Sequence, residues 1–301
     1  MRAMKSLSPL GFVYAVLAFV SWGVFPLYWK AFTGVPPWEV LSHRVVWSFL
    51  VLAAAVFLLG QLREAWAVVR SGRRTGVLLA TAVLLSANWA LFIYGVISGQ
   101  VVQTSLGYFL TPLLNILLGC VFLKERLTRL QTAAVALAVS GVVSYGWHLG
   151  RFPWIAVGLA VTFGFYGMFR KMVPVTPLVG LLVETALMTP VALVALFLPS
   201  QAGGAVFGQS AGMTALFVGA GVITALPLFW FNSAAKLLPL STMGFLQFLS
   251  PTLQLAVGVL IFHEPFASRE LVPFALIWAA IALYLTTLVK NRPVVMVANP
   301  D

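Results

Sequence analysis

The 301 residues are 61% apolar and only 8% charged, with a mean hydropathy of +1.01, a balance that excludes a soluble globular domain. The net charge of +11 does not point to nucleic acid, because Lys and Arg stand singly or in pairs between apolar runs, as the loop charges of a membrane protein do. The one cysteine, Cys120, lies inside an apolar run, which excludes an intramolecular disulfide.

Apolar runs of about 20 residues, the length that crosses a bilayer as a helix, recur along the whole chain. The first, Leu10 to Trp29, follows Arg2 and Lys5 but has no small-residue cleavage site, so it reads as a span and not as a signal peptide. Further spans are predicted at Trp38 to Leu59, Gly76 to Ile97, Val102 to Leu123 and Leu130 to Trp147. The second half supplies Pro153 to Met172, Leu178 to Leu198, Ala211 to Ala234, Thr242 to Phe262 and Leu271 to Leu288. The fold class is an all-α membrane protein of ten transmembrane helices. Pro199 to Ser210 is uncharged and rich in Gly, Gln and Ser, which predicts a flexible linker.

Fourteen of the 18 Lys and Arg residues fall in segments that are cytoplasmic if the N-terminus is inside, against three in outer segments and Arg44 within a span. The positive-inside rule then places both termini in the cytoplasm, in a multi-pass protein whose constant partner is the lipid bilayer.

The stretch from Ser105 to Glu125 occurs twice. A shift of 139 lays Phe109, Leu110, Pro112, Leu114, Gly119 and Glu125 on Phe248, Leu249, Pro251, Leu253, Gly258 and Glu264, with Asn115 on Gln254. A shift of 141 lays Ser21-Trp22-Gly23 on Thr162-Phe163-Gly164 and Lys30 on Lys171. Each half, residues 1–150 and 151–301, therefore holds five helices, and an odd number makes the second copy enter upside down, an inverted-topology repeat.

Pro112 and Pro251 recur at one point of both halves beside a polar helix face, so they are candidate hinges at the repeat interface, although fixed kinks would explain them too. Asn88, Tyr94, Tyr108, Asn115, Asn232, Gln247 and Gln254 are intramembrane polar residues. Any one can glue helices together; the matched placement of Asn115 with Gln254, and of Tyr108 with Gln247, favours a shared binding cavity. Trp89 and Trp230 stand near these polar faces as candidate walls, whereas Trp29 fits an interfacial belt.

Charges inside spans carry the strongest signal, since each costs about 2.5–3.5 kcal/mol at the bilayer centre on insertion scales. His43, Arg44 and Glu184 qualify. Glu184 is the one carboxylate well inside a span and is the candidate for coupling transport to protons; the competing reading makes it a structural acceptor for helix hydroxyls. No cofactor or metal is expected. The chain has no His-Glu-x-x-His, no Gly-rich phosphate loop and no pair of intramembrane aspartates, so it is read as a non-enzyme.

Asn88-Trp89 followed by Leu91-Phe92-Ile93, Ser105-Leu106-Gly107-Tyr108-Phe109 and Pro112-Leu113-Leu114-Asn115 carry a resemblance that covers nearly the whole chain. So do His43-Arg44-Val45-Val46-Trp47-Ser48, Phe165-Tyr166-Gly167, Arg170-Lys171, Ser241-Thr242-Met243-Gly244-Phe245 and Pro251-Thr252-Leu253. In these the sequence resembles a RarD-type protein of the EamA family, in the drug/metabolite transporter superfamily. The resemblance implies ten helices in two inverted repeats, a bacterial inner membrane, and export or exchange of small metabolites or drugs. Together with the polar faces it gives the expectation of a permease moving a small amphiphile by alternating access. A membrane-embedded enzyme, or a structural or sensory membrane subunit, is the alternative.

Overall fold

The computed structural model describes residues 8–97, 101–147, 154–197, 206–261 and 271–290, and among them every regular element is a helix. Helix α1 (Pro9–Trp29) starts at Ser8, whose hydroxyl accepts from the Gly11 N–H at 3.2 Å, with proline at the first position, where its missing donor costs nothing. A 3₁₀ turn (Lys30–Phe32) and a tight bend at Gly34 (φ +86°) lead into α2 (Pro37–Leu58). Then follow α3 (Leu62–Arg70), α4 (Gly72–Ile97), α5 (Val101–Val121) and α6 (Arg129–Trp147). A reciprocal Thr128/Gln131 pair caps the start of α6, each backbone N–H donating to the other's side chain.

The second half begins with α7 (Trp154–Met172), α8 (Pro177–Phe197) and α9 (Ala211–Leu237), the last capped by Ser210. Next come α10 (Leu240–Gln247), α11 (Leu249–Ala256), a π-helical turn (Val257–Ile261) and α12 (Leu271–Lys290). By length and composition five stretches are able to cross a membrane: 9–32, 38–58, 72–92, 177–197 and 211–237, with shorter apolar stretches in α5, α6 and α12. This is a multi-pass membrane protein.

Three expectations change. The stretch read as one ninth span is broken between α10 and α11, because Pro251 has no N–H for the Gln247 carbonyl and its ring crowds that carbonyl. Pro112 produces no such break, since α5 runs through it, so of the two candidate hinges only Pro251 interrupts its helix. The basic segment after α2 is partly helical: α3 buries Ala65 and Val68 and exposes Leu62, Trp66, Arg63 and Arg70, the division of an interfacial helix.

Helix pairings come in matched sets. α5 packs on α7 as α1 packs on α11, α4 on α7 as α1 on α9, and α2 on α9 as α4 on α8; α2 with α8, α5 with α10 and α6 with α12 complete the bundle. Single residues repeat the pattern. A Cβ on Gly23 would stand 2.6 Å from the Leu253 side chain, and one on Gly164 would stand 2.9 Å from that of Leu114. Those glycines correspond at a shift of 141 and those leucines at 139, so one close helix approach is made twice. Glu264 and the predicted cytoplasmic termini lie outside the described residues.

Candidate functional site

At the centre of the bundle α1, α7 and α9 share an aromatic cluster. Trp22 lies 5.7 Å from Phe163 and 5.5 Å from Phe231, and Phe231 stacks on Tyr166 at 6.3 Å. Polar groups are inserted around it, and in an apolar interior each needs a partner.

Tyr166 accepts from Asn232 Nδ2 at 2.9 Å. Asn115 Nδ2 donates to Gln247 Oε1 at 2.7 Å, joining α5 to α10. Asn115 thus meets Gln247, the counterpart of Tyr108 in the other half, while the break before Pro251 puts Gln247 and Gln254 on separate helices. Gln254 Nε2 donates instead to the Trp22 carbonyl at 3.0 Å. That carbonyl lies four residues before Pro26, where the helix offers it no N–H, so a side chain from α11 supplies the donor that α1 lacks. Asn115 and Asn232 are fully buried, and each leaves its Oδ1 without a protein partner.

Asn88 ties α4 to α7, donating to the Leu159 carbonyl and to Thr162 Oγ1, both at 2.9 Å. Trp230 packs partly buried against the central core. Tyr94 stands away from this centre: it is half exposed and its ring lies 5.6 Å from that of the exposed Trp154.

Glu184 of α8 is fully buried, accepts from Thr81 Oγ1 of α4 at 2.5 Å, and lies 3.4 Å from Arg170 Nε of α7. The sequence reading counts Arg170 among the cytoplasmic loop charges, yet its side chain is wholly enclosed, passing over Gly180, where a Cβ would lie 2.0 Å from Nη1. Arg170 Nη2 also donates to the Pro177 carbonyl at 3.1 Å. The intramembrane carboxylate therefore has a cation beside it, an arrangement that satisfies charge by pairing. Glu184 Oε2 has no hydrogen-bond partner and lines, with Ser48, Thr185, Thr224 and Trp89, a cavity with room for about one water molecule.

Arg44 of α2 donates through Nε to Thr224 Oγ1 of α9 at 2.9 Å, with its guanidinium 4.3 Å from the Trp89 ring and 5.1 Å from the Trp29 ring. Trp29, read from the sequence as part of an interfacial belt, thus faces a charge. His43 is turned elsewhere, stacked on Phe207 at 4.3 Å. Phe207 belongs to the stretch read as a flexible linker, but residues 206 and 207 are docked: both N–H groups donate to Glu39 Oε1, at 2.8 and 2.9 Å. Glu39 is fully buried. Sequence reasoning passes over it because an acid in the first turn of a helix is ordinary.

At the end of the bundle that holds the start of α1, Lys171 Nζ donates to the Ala235 carbonyl at 2.7 Å and to that of Leu238, while Lys236 Nζ donates to the carbonyls of Lys171 and Val173. Each lysine caps the other's helix end. Glu125 does the converse at the start of α10, accepting from the Leu240 and Ser241 N–H groups at 2.7 and 2.9 Å.

The EamA-like transporter family matches residues 9–146. An uncharacterized transporter of Bacillus subtilis is 40% identical over 285 residues, 93% of this chain and 95% of that protein. The RarD protein of Escherichia coli is 38% identical over 276 residues, 91% of this chain and 93% of that one. An uncharacterized transporter of Pseudomonas aeruginosa is 43% identical, covering 91% and 92%. A solved crystal structure, described only as that of a protein, shares the fold at a TM-score of 0.69 and 19% identity, over 94% of this chain and 98% of that one.

Proposed function

The chain belongs to the EamA-like transporter family, and from that premise we propose that it is a secondary transporter carrying a small amphiphile by alternating access between two inverted five-helix repeats. The observation that carries this reading is the twice-made contact, Gly23 on Leu253 and Gly164 on Leu114, within helix pairings that interchange when the halves are exchanged. A bundle with two near-equivalent ways of packing its halves has two states of similar energy, which alternating access requires. Five spans per half would make the repeat inverted, the distribution of basic residues supports cytoplasmic ends, and family membership supports a bacterial inner membrane.

The binding residues of this reading are Asn88, Trp89, Tyr108, Asn115, Trp230, Asn232, Gln247 and Gln254; the hydrogen bonds of Asn88, Asn115, Gln247 and Gln254 that cross between the halves support it. The lysine and glutamate ties around α7, α9 and α10 act as the inner gate. They are hydrogen bonds to backbone groups at helix ends, which water satisfies once the ends part. Glu184 acts in coupling through its pairing with Arg170, and a proton arriving at the carboxylate would release that cation.

Two measurements test the reading. In proteoliposomes loaded with an unlabelled compound from an amino-acid and drug panel, outside label of the same compound should accumulate transiently by counterflow. Chemical conversion of the compound in detergent, with no compartment present, would replace the transporter with an enzyme. For topology, with Cys120 replaced, single cysteines at the exposed positions Arg73 and Gln209 should label from the inner and the outer face respectively. Labelling of both from one face would remove the inverted repeat.

A further inference from the structure

Arg44 stands seven residues beyond Pro37, about 10 Å into the second membrane helix, a depth at which a cation needs a partner or a function. No carboxylate of a described residue pairs with it; the buried Glu184 carboxylate is paired with Arg170 instead. Snorkelling does not describe its geometry, because the guanidinium is held sideways: Nε is bound to Thr224, one face lies over Trp89, and Trp29 lies near. Four helices, α1, α2, α4 and α9, thus converge on one cation. Nε is spent on the protein, while the two terminal nitrogens donate to no described residue and are not among the enclosed polar atoms; the side chain is partly exposed.

We propose that Arg44 is the recognition point for the anionic end of the substrate, and that the substrate is a small organic carboxylate with a flat apolar body. An arginine fixed through Nε presents its terminal N–H pair as a preformed fork, the shape that two carboxylate oxygens match. Trp29 and Trp89 form the apolar walls beside that fork. Arginine beside two indoles also explains how a membrane helix tolerates the charge, since ring faces attract a cation without neutralising it. A carboxylate brings the missing negative charge, so binding and neutralisation are one event.

The proposal rests on the transporter reading and is tested separately from it. Benzoate, phenylacetate and indole-3-acetate, with their amides, are titrated calorimetrically against the full chain in nanodiscs of phosphatidylcholine. At least one acid should bind about 10- to 100-fold more tightly than its amide, the difference one charged bidentate contact makes. Arg44→Gln should abolish that preference, and Arg44→Lys, which keeps the charge and loses the fork, should restore part of it. Equal binding of acid and amide to the unmutated protein overturns the proposal, and this arm needs no variant to fold. Acids that bind equally well to a folded Arg44→Gln protein also overturn it. So does a response to inorganic phosphate, or to phosphatidylglycerol in the nanodiscs, with none to the carboxylates. Counterflow of an amide while no acid binds removes the anion site and leaves transport standing. Acid binding lost in Arg44→Gln, without counterflow of any compound, keeps the site and removes transport.

Discussion

Glu184→Gln should destabilise the folded bundle by about 3–5 kcal/mol, seen as an earlier thermal unfolding transition in detergent, because it leaves the enclosed Arg170 charge without its partner. Glutamine keeps the size of the side chain and can still accept from Thr81, so the hydrogen bond is not what is lost. Removing both charges together, as Arg170→Met with Glu184→Met, should recover most of the loss. Thr81 remains satisfied in that double variant, since its hydroxyl also donates to the Leu78 carbonyl at 2.9 Å. The outcome also decides the state of the carboxylate, because glutamine mimics a protonated glutamate. If Glu184→Gln is as stable as the unmutated protein, the carboxylate already holds a proton in this conformation, and the ion pair has no part in holding α7 to α8.

Gly221→Ala should cost about 1–3 kcal/mol or more and abolish transport, because α2 and α9 touch backbone to backbone at that point. A Cβ there would lie 2.5 Å from the Trp47 carbonyl carbon and 2.8 Å from the Ser48 nitrogen. A flexible side chain could swing aside; main-chain atoms inside a helix cannot, so the two helices must separate. Separation also stretches the bond from Ser48 Oγ to the Gly221 carbonyl, 3.1 Å long, and shifts Thr224, one turn further along α9, away from Arg44. Gly212→Ala, in the first turn of the same helix with nothing within 4 Å of the added carbon, is the control and should behave as the unmutated protein. Equal melting temperatures and equal counterflow for the two variants would mean that α2 and α9 are not this close in the membrane.

Much of the fold was legible because membrane insertion is decided locally. Apolar length marks the spans whatever the neighbours are, and motifs such as Phe109–Glu125 and Phe248–Glu264 can be matched by sequence alone. Arg44 and Glu184 were visible for the same reason, since a charge in an apolar run stands out in one dimension. Their partners were not. Arg170-Lys171 at a helix end reads as ordinary cytoplasmic charge, and only the slot over Gly180, on another helix, turns Arg170 inward to Glu184.

The tertiary structure alone decided that Asn115 meets Gln247, that Gln254 serves the carbonyl left open by Pro26, and that Pro251 breaks its helix while Pro112 does not. It alone carried Phe207 onto His43 and brought Trp29 beside Arg44. Periodicity assigns a residue to a face of its own helix. A hydrogen bond of about 3 Å depends on the offset between two helices far apart in sequence, and that offset is set by where glycines let backbones approach and where a proline stops one.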